Sequence, residues 1–454
     1  MTFLGAGMLS GISAQVSPLQ VDTLKETKIP DQWDLQSCID YAKEQNITIR
    51  KNRITAVSTQ IDVKTAKAAL FPSLSFSTGH QVVNRPYQET SSRVSGSEII
   101  SSNSKTSYNG NYGLNASWTL YNGNKRLKTI QQEKLNNQMA ELDVATSENN
   151  IQESIAQVYI QILYAAESVK VNENTLQVSI AQRDRGQELL NAGSIAKSDL
   201  AQLEAQVSTD RYQLVTAQAT LEDYKLQLKQ LLELDGENEM NIYLPALSDE
   251  NVLAPLPTKR DVYISALSLR PEIEASKLNV EASELGINIA KSSYFPTISL
   301  SAGIGTNHTS GSDFTFGEQV KNGWNNSIGL SVSVPIFNNR QTKSAVQKAK
   351  LQYETSMLSL LDEQKALYKT IESLWLDANS AQQRYAAANE KLKSTQISYE
   401  LISEQFNLGM KNTVELLTEK NNLLQAQQEQ LQAKYMAILN TQLLKFYQGD
   451  QLAI

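Results

Sequence analysis

Side chains able to do covalent or metal chemistry are scarce in this chain, which holds one cysteine, Cys38, and two histidines, His80 and His308, among 454 residues. A lone cysteine forms no disulfide framework and no thiolate zinc site. Neither histidine has a metal-ligand neighbour at helical or loop spacing, so both read as ordinary strand-end or loop residues. No Ser-His-Asp set, phosphate loop or metal cluster is present, so the chain reads as no enzyme, without catalytic residue, metal or cofactor. Most Asp and Glu residues fall on solvated helix faces. Two acids differ in position. Asp199 and Glu415 each lie six residues after an isolated glycine, Gly193 and Gly409, at the start of a new helical run. The helix dipole favours a carboxylate there.

The elements that must carry these acids are very long helices. Gln341 to Leu408 contains no Gly or Pro, enough for a helix of roughly 100 Å. Lys411 to Gln448 is a second such run. Gly409 therefore reads as the tip of a helical hairpin, where left-handed geometry ends one helix and Asn412 or Thr413 caps the next. The stretch from Leu190 to Leu200 repeats the device around Gly193, about 216 residues earlier. After Gly193, Leu200, Val207, Leu214, Leu221 and Leu228 recur every seven residues. Leu203, Ala217, Tyr224 and Leu231 fill most of the intervening positions of a left-handed coiled-coil seam, and Asp210 is the exception.

Between the helices the period changes to two. After Phe71-Pro72, Leu74, Phe76 and Thr78 alternate with serines; Tyr112, Leu114, Ala116, Trp118 and Leu120 alternate with Asn, Gly, Ser and Thr. The same pattern follows Phe295-Pro296, in Ile298, Leu300, Ala302 and Ile304 and again in Ile328, Leu330, Val332, Val334 and Ile336. One face is apolar with aromatic ends and the other is small and polar, the pattern of outer-membrane barrel strands, although a soluble sheet with one wet face shares it. Leu114, Trp118, Leu120, Leu330, Val332 and Val334 are the residues expected to face lipid. The polar stretch 84–107 reads as a long loop.

The layout is a duplication. A first repeat spans 33–236, with a β-hairpin at 73–121 and its tip at Gly193; a second spans 259–449, with a β-hairpin at 297–337 and its tip at Gly409. The Pro-containing segment 237–258 links them. Residues 1–14 resemble a signal peptide, an apolar core before Ser13-Ala14-Gln15, though no Lys or Arg precedes it. Leu35-Gln36-Ser37-Cys38 loosely imitates a lipobox, but Asp31 and Asp34 occupy its apolar core, so Cys38 reads as a packed helix residue. No window is apolar enough for a membrane helix, so any span must be β. A net charge of −7 argues against a nucleic-acid partner.

Four strands cannot close a barrel, and their unpaired edges cannot face lipid. Three copies would give twelve strands, an even number with room for a lumen, and would assemble a helical cylinder with it. At this point the chain resembles the TolC-like outer-membrane efflux proteins from Trp33 to about Gly449. The resemblance rests on Phe406-Asn407-Leu408-Gly409 with Val414-Glu415-Leu416-Leu417, on Ala192-Gly193 with Ser198-Asp199-Leu200, on the paired Phe-Pro sites and on the duplicated layout. It implies a mainly α fold with a transmembrane β part: duplicated long helical hairpins forming a trimeric α-barrel, topped by a shared 12-stranded β-barrel with four strands per chain. It implies an outer-membrane location with a periplasmic extension, and an exit duct for small molecules or secreted proteins. A periplasmic adaptor and an inner-membrane transporter would be the partners, docking at the Gly193 and Gly409 tips. It implies a gate acid at Glu415, with Thr418 where the family has a second acid and Glu419 beside it. The links that hold the family's closed state map to Asp199, Lys411 and Phe406, the last replacing a tyrosine and unable to hydrogen-bond. The linker 237–258 and the C-terminal residues would form a mixed belt around the helices. A coiled-coil scaffold of the periplasm explains the heptads but not the strands; a passive outer-membrane channel is the other alternative.

Overall fold

The computed structural model describes residues 30–87, 91–95, 98–102, 105–235, 240–245, 252–310 and 314–453. The signal peptide read at 1–14 lies outside them, as do parts of the 84–107 loop and of the 237–258 linker. The chain divides into two compact units, one made of the residues up to Ile54, Ser147–Ser265 and Ile371 onward, the other of Thr55–Thr146 and Ala266–Thr370.

Two helices of 67 residues, α3 (Lys125–Asn191) and α8 (Gln341–Asn407), dominate the chain. Each is followed by a shorter one, α4 (Lys197–Leu231) and α9 (Thr413–Gln448). Each repeat opens with a pair of helices broken at one residue: α1 (Leu35–Gln45) and α2 (Ile47–Ala68), then α5 (Lys259–Leu269) and α6 (Pro271–Ser292). The first break has a physical cause. Asn46 closes α1 through its N–H to the Ala42 carbonyl (2.9 Å), and its side-chain oxygen then accepts from Thr48 N at the start of α2 (2.9 Å). In the second repeat Pro271, which has no N–H to offer, takes the first helical position instead.

The first unit packs its core where α1 meets the middle of α3 and the ends of α4 and α9, with Trp33, Cys38, Ile39, Tyr159, Leu228 and Leu232 all buried. Burying each of the larger apolar side chains contributes about 1.5–3 kcal/mol over leaving it exposed. The Cys38 thiol is fully enclosed and burial pushes its pKa up to about 12, the behaviour of a packing residue. The linker docks on the same unit. Trp33 pairs with Ile242, and Tyr159 donates its hydroxyl to the Tyr243 carbonyl (2.6 Å). Val252 packs on Tyr385 and Ala437, and Trp375 donates to the Pro257 carbonyl (3.0 Å).

The second unit carries an antiparallel sheet in the order β1 (Ser73–Asn84), β4 (Thr106–Asn122), β5 (Thr297–Thr309), β6 (Asn325–Ser333). The long loop of the first repeat contains a separate ribbon, β2 (Ser91–Ser95) with β3 (Glu98–Ser102). The second hairpin contains a short helix, α7 (Phe316–Asn322), whose capping box joins Thr315 and Glu318. Both are local features that polar composition concealed. Gly123 turns from β4 into α3 at φ +68°, where a Cβ would come within 2.6 Å of the Ser292 carbonyl oxygen, so only glycine fits.

The register puts Phe76, Leu114 and Ile304 in one row and Trp118, Leu300 and Leu330 in another, all on one face. The other face carries rows such as Ser75, Asn115, Gly303 and Ser327. Two expected lipid-facing residues depart from that register. A bulge between Thr119 and Tyr121 makes Leu120 an extra residue, so that Tyr121 pairs with Ile298. Val334 lies past the end of β6, because Pro335 has no N–H with which to continue the ladder. The two histidines, isolated in sequence, meet on the apolar face: His80 and His308 both pair with Gly110, on opposite sides of β4. His80 Nδ1 lies 2.6 Å from the Tyr108 hydroxyl, whose ring also approaches His308. Among the described residues no group of three or more His, Cys, Asp or Glu is arranged to hold a metal.

Candidate functional site

Both tips form as their residues dictate. Gly193 and Gly409 each adopt φ +74°, and each ends its helix with the paired hydrogen bonds of a Schellman motif. Gly193 N donates to the Leu190 carbonyl (2.9 Å) and Ser194 N to that of Leu189 (2.8 Å); Gly409 N donates to Phe406 O (2.9 Å) and Met410 N to Gln405 O (2.8 Å).

The helices beyond the tips begin differently. Asn412 caps α9: its side-chain oxygen accepts from Glu415 N (2.9 Å), while the Glu415 carboxylate accepts from Asn412 N (3.2 Å), a reciprocal capping box. The other Glu415 oxygen takes the Lys411 ammonium at 2.6 Å. The Lys411 hydrogen bond, with the Asn412 N–H, holds the Glu415 carboxyl below the usual carboxylate range. At the first tip Ala196 has no side-chain acceptor to offer, and only the return half of the box forms, Ala196 N donating to Asp199 (3.0 Å).

Of the residues mapped to the gate, the fold thus joins Lys411 to Glu415 within one hairpin, and Asp199 serves its own helix start. Phe406 is buried, and Thr418 donates its hydroxyl to the Val414 carbonyl (2.8 Å). Glu419 accepts from Ser398 (3.2 Å), across its own hairpin.

The ties between the two hairpins lie deeper. Lys420 on α9 donates to Asp210 on α4, and Ser179 on α3 completes the cluster with hydrogen bonds to both. All three are enclosed, at 3%, 1% and 2% exposure, which separates them from the surface pairs elsewhere on these helices. Gln206 supplies the remaining Asp210 oxygen with a donor (2.9 Å), and Gln182 on α3 donates to the Tyr399 hydroxyl on α8 (2.8 Å). Asp210 was legible as the polar interruption of a heptad seam. Its partner was not, because Lys420 belongs to the other repeat and nothing in its local pattern marks it.

Comparison with known proteins agrees with this architecture. Residues 38–233 and 262–449 match the family described as outer membrane efflux protein. The chain is 24% identical over 294 residues to the outer membrane efflux protein BepC of Brucella suis, covering 64% of this chain and 61% of that one. It is 24% identical to the outer membrane protein TolC of Escherichia coli, covering 63% and 58%. The matched stretch therefore spans less than two thirds of either relative. The fold is that of the outer membrane protein VceC of Vibrio cholerae, with a TM-score of 0.75, 15% identity and coverage of 92% and 97%. Matched over both repeats, the chain belongs to the outer membrane efflux protein family, a family of ducts rather than enzymes, located in the outer membrane with a periplasmic extension.

Proposed function

We propose that three copies of this chain close a twelve-stranded barrel and form the exit duct of a tripartite system that expels small molecules or secreted proteins. The observation that carries this is the four-stranded sheet itself. Its edge strands β1 and β6 are exposed along nearly their whole length, and one of its faces is apolar. An open edge in lipid leaves backbone groups unpaired, so the strands of neighbouring copies must supply the partners. Tyr108 and Trp118 lie ten residues apart on the apolar face of β4, which at the tilt of a barrel strand is about 26 Å, the height of an outer-membrane apolar band. Trp118 is positioned like an interfacial anchor, exposed on one side while its indole N–H donates to the Leu70 carbonyl (2.7 Å). The inward face of the four strands is Ser, Thr, Asn and Gly over most of its length, suited to a wetted lumen. Native mass spectrometry from detergent should show a trimer, and planar bilayers should show a channel. A stable monomer that conducts alone would sink the reading.

In this assembly the tips at Gly193 and Gly409 dock the periplasmic adaptor, which couples the duct to an inner-membrane transporter. Asp199, Phe406, Lys411 and Glu415 line or brace the aperture just inside the tips. The bond from Lys411 offsets the Glu415 charge, so cation block from the periplasmic side should deepen in Lys411→Ala and disappear in Glu415→Gln. The pH dependence follows from the depressed Glu415 pKa. The carboxylate stays ionised as pH falls through the ordinary glutamate value of about 4.3, and block should be lost only below it. The capping contribution has the same sign, present above the unfolded-state pKa and lost as pH falls through the lower folded one. Cation block that is unchanged in Glu415→Gln would assign this carboxylate to helix capping alone.

A further inference from the structure

We infer that His80, Tyr108, Tyr112 and His308 form a binding site at the far end of the sheet's apolar face, and that the site takes the phosphate group of a membrane lipid. The inference rests on the reading that this face meets lipid, and not on what passes through the duct.

Strand order creates the site. β1 leaves α2 at Ser73 and runs away from the helices to Asn84, so His80 lies toward the end of the sheet opposite the helices. In register, His80 and His308 stand on either side of Gly110, two residues along β4 from Tyr108 and eight from Trp118. That height is the far edge of the apolar band, where the hydrocarbon of a bilayer gives way to its headgroups. A glycine between the two imidazoles leaves the face open there. A Cβ on Gly110 would lie 3.2 Å from His80 Nδ1 and 3.3 Å from the Tyr112 hydroxyl, and the Tyr108 hydroxyl is 2.6 Å from the same Nδ1. Three polar atoms thus gather around one residue that has no side chain.

These groups do not satisfy one another. His308 Nδ1 is enclosed without a hydrogen-bond partner, its ring packed against Tyr108 (5.8 Å between centroids) and against Phe316 of α7 (5.1 Å). A shut-in polar atom of this kind is costly, and a ligand that supplies its partner removes the cost.

Charge selects the ligand. None of the four strands contains Asp, Glu, Lys or Arg, and the acid of α7, Glu318, is turned back onto Thr315 by two hydrogen bonds of 2.8 Å. The phenols, the imidazoles and the Thr78 hydroxyl, 3.2 Å from His80 Nε2, are all able to donate. A metal cation would want further imidazoles or carboxylates; a phosphate wants donors and no carboxylate nearby. A lipid also brings its phosphate to this height. Its acyl chains would lie along the row of Phe76, Leu114 and Ile304, which continues the same face toward the helices.

The test counts lipids retained by the trimer in native mass spectrometry, after incubation with phosphatidic acid or with diacylglycerol of the same acyl chains. The two probes differ only in the phosphate. The wild type should retain one phosphatidic acid per chain and about tenfold less diacylglycerol. His80→Phe with His308→Phe keeps two rings in the wall and removes their nitrogens, so phosphatidic acid should fall to the diacylglycerol level. If that pair does not assemble, Tyr108→Phe removes a single oxygen and should lower retention about threefold. Equal retention of the two lipids by the wild type, or undiminished phosphatidic acid in the variant that assembles, would overturn the site. Displacement of the lipid by inorganic phosphate at equal concentration would assign the site to free anions and overturn the lipid. A protein that retains phosphatidic acid selectively but forms no channel in bilayers would overturn the duct reading and leave the site standing.

Discussion

Leu114→Arg is expected to cost about 2–4 kcal/mol and to deplete the assembled, heat-resistant form of the protein. Leu114 lies in the row with Phe76 and Ile304, between the aromatic residues that mark the two ends of the apolar face of β4. In the proposed barrel a guanidinium there would have to stay in hydrocarbon or pull the strand toward an interface. The neighbouring residue, Asn115, points to the other face, in the row with Ser75 and Gly303. Asn115→Arg should assemble normally, since a wetted lumen solvates the charge. The measurement is the heat-resistant trimer fraction on gels, for both variants side by side. Equal loss in the two would mean that the sheet does not present these faces to lipid and to water.

Gly409→Val, and Gly193→Val at the other tip, should abolish efflux while leaving membrane assembly intact. Both glycines sit at φ +74° with nothing within 4 Å of a would-be Cβ, so space is available and the penalty is conformational. An L-residue in the left-handed region costs about 1–2 kcal/mol, and a β-branched one stands at the unfavourable end. That is small against the stability of helices this long. It is enough to reshape the turn at which the adaptor is proposed to dock. Gly409→Asn should retain most efflux, because asparagine tolerates the left-handed region. Drug accumulation in cells lacking their own duct, read together with trimer level, checks the prediction. Normal efflux in both valine variants would remove the tips from the docking interface.

Much of this architecture is written in local pattern. The tips required only isolated glycines between long runs without breakers, since chain geometry turns at such points and nowhere else nearby. The strands required only the change from a period near 3.6 to a period of 2, which exposes the same face wherever the strand is placed. Duplication made each assignment twice. Polar composition, by contrast, says little about the structure inside a loop, and so the β2–β3 ribbon and α7 were not legible. The end of β6 was missed because the apolar alternation runs on through Val334 and Ile336, while Pro335 has already removed the ladder's donor.

The sequence by itself determined the long helices, the four strands of the main sheet, the position of each tip and the identity of the apolar face, because each of these depends on residues within a few turns of one another. It also marked Asp210 as an anomaly in an apolar seam. Only the tertiary structure decided what that anomaly pairs with. Lys420 and Ser179 reach Asp210 from positions 210 and 31 residues away, and no local rule connects them. The same holds for His80 and His308, brought to either side of Gly110 by strand order, and for Glu415, whose carboxylate is shared between its helix cap and Lys411. Pairing of this kind follows from how elements pack against each other, a choice that depends on the summed burial of the whole chain.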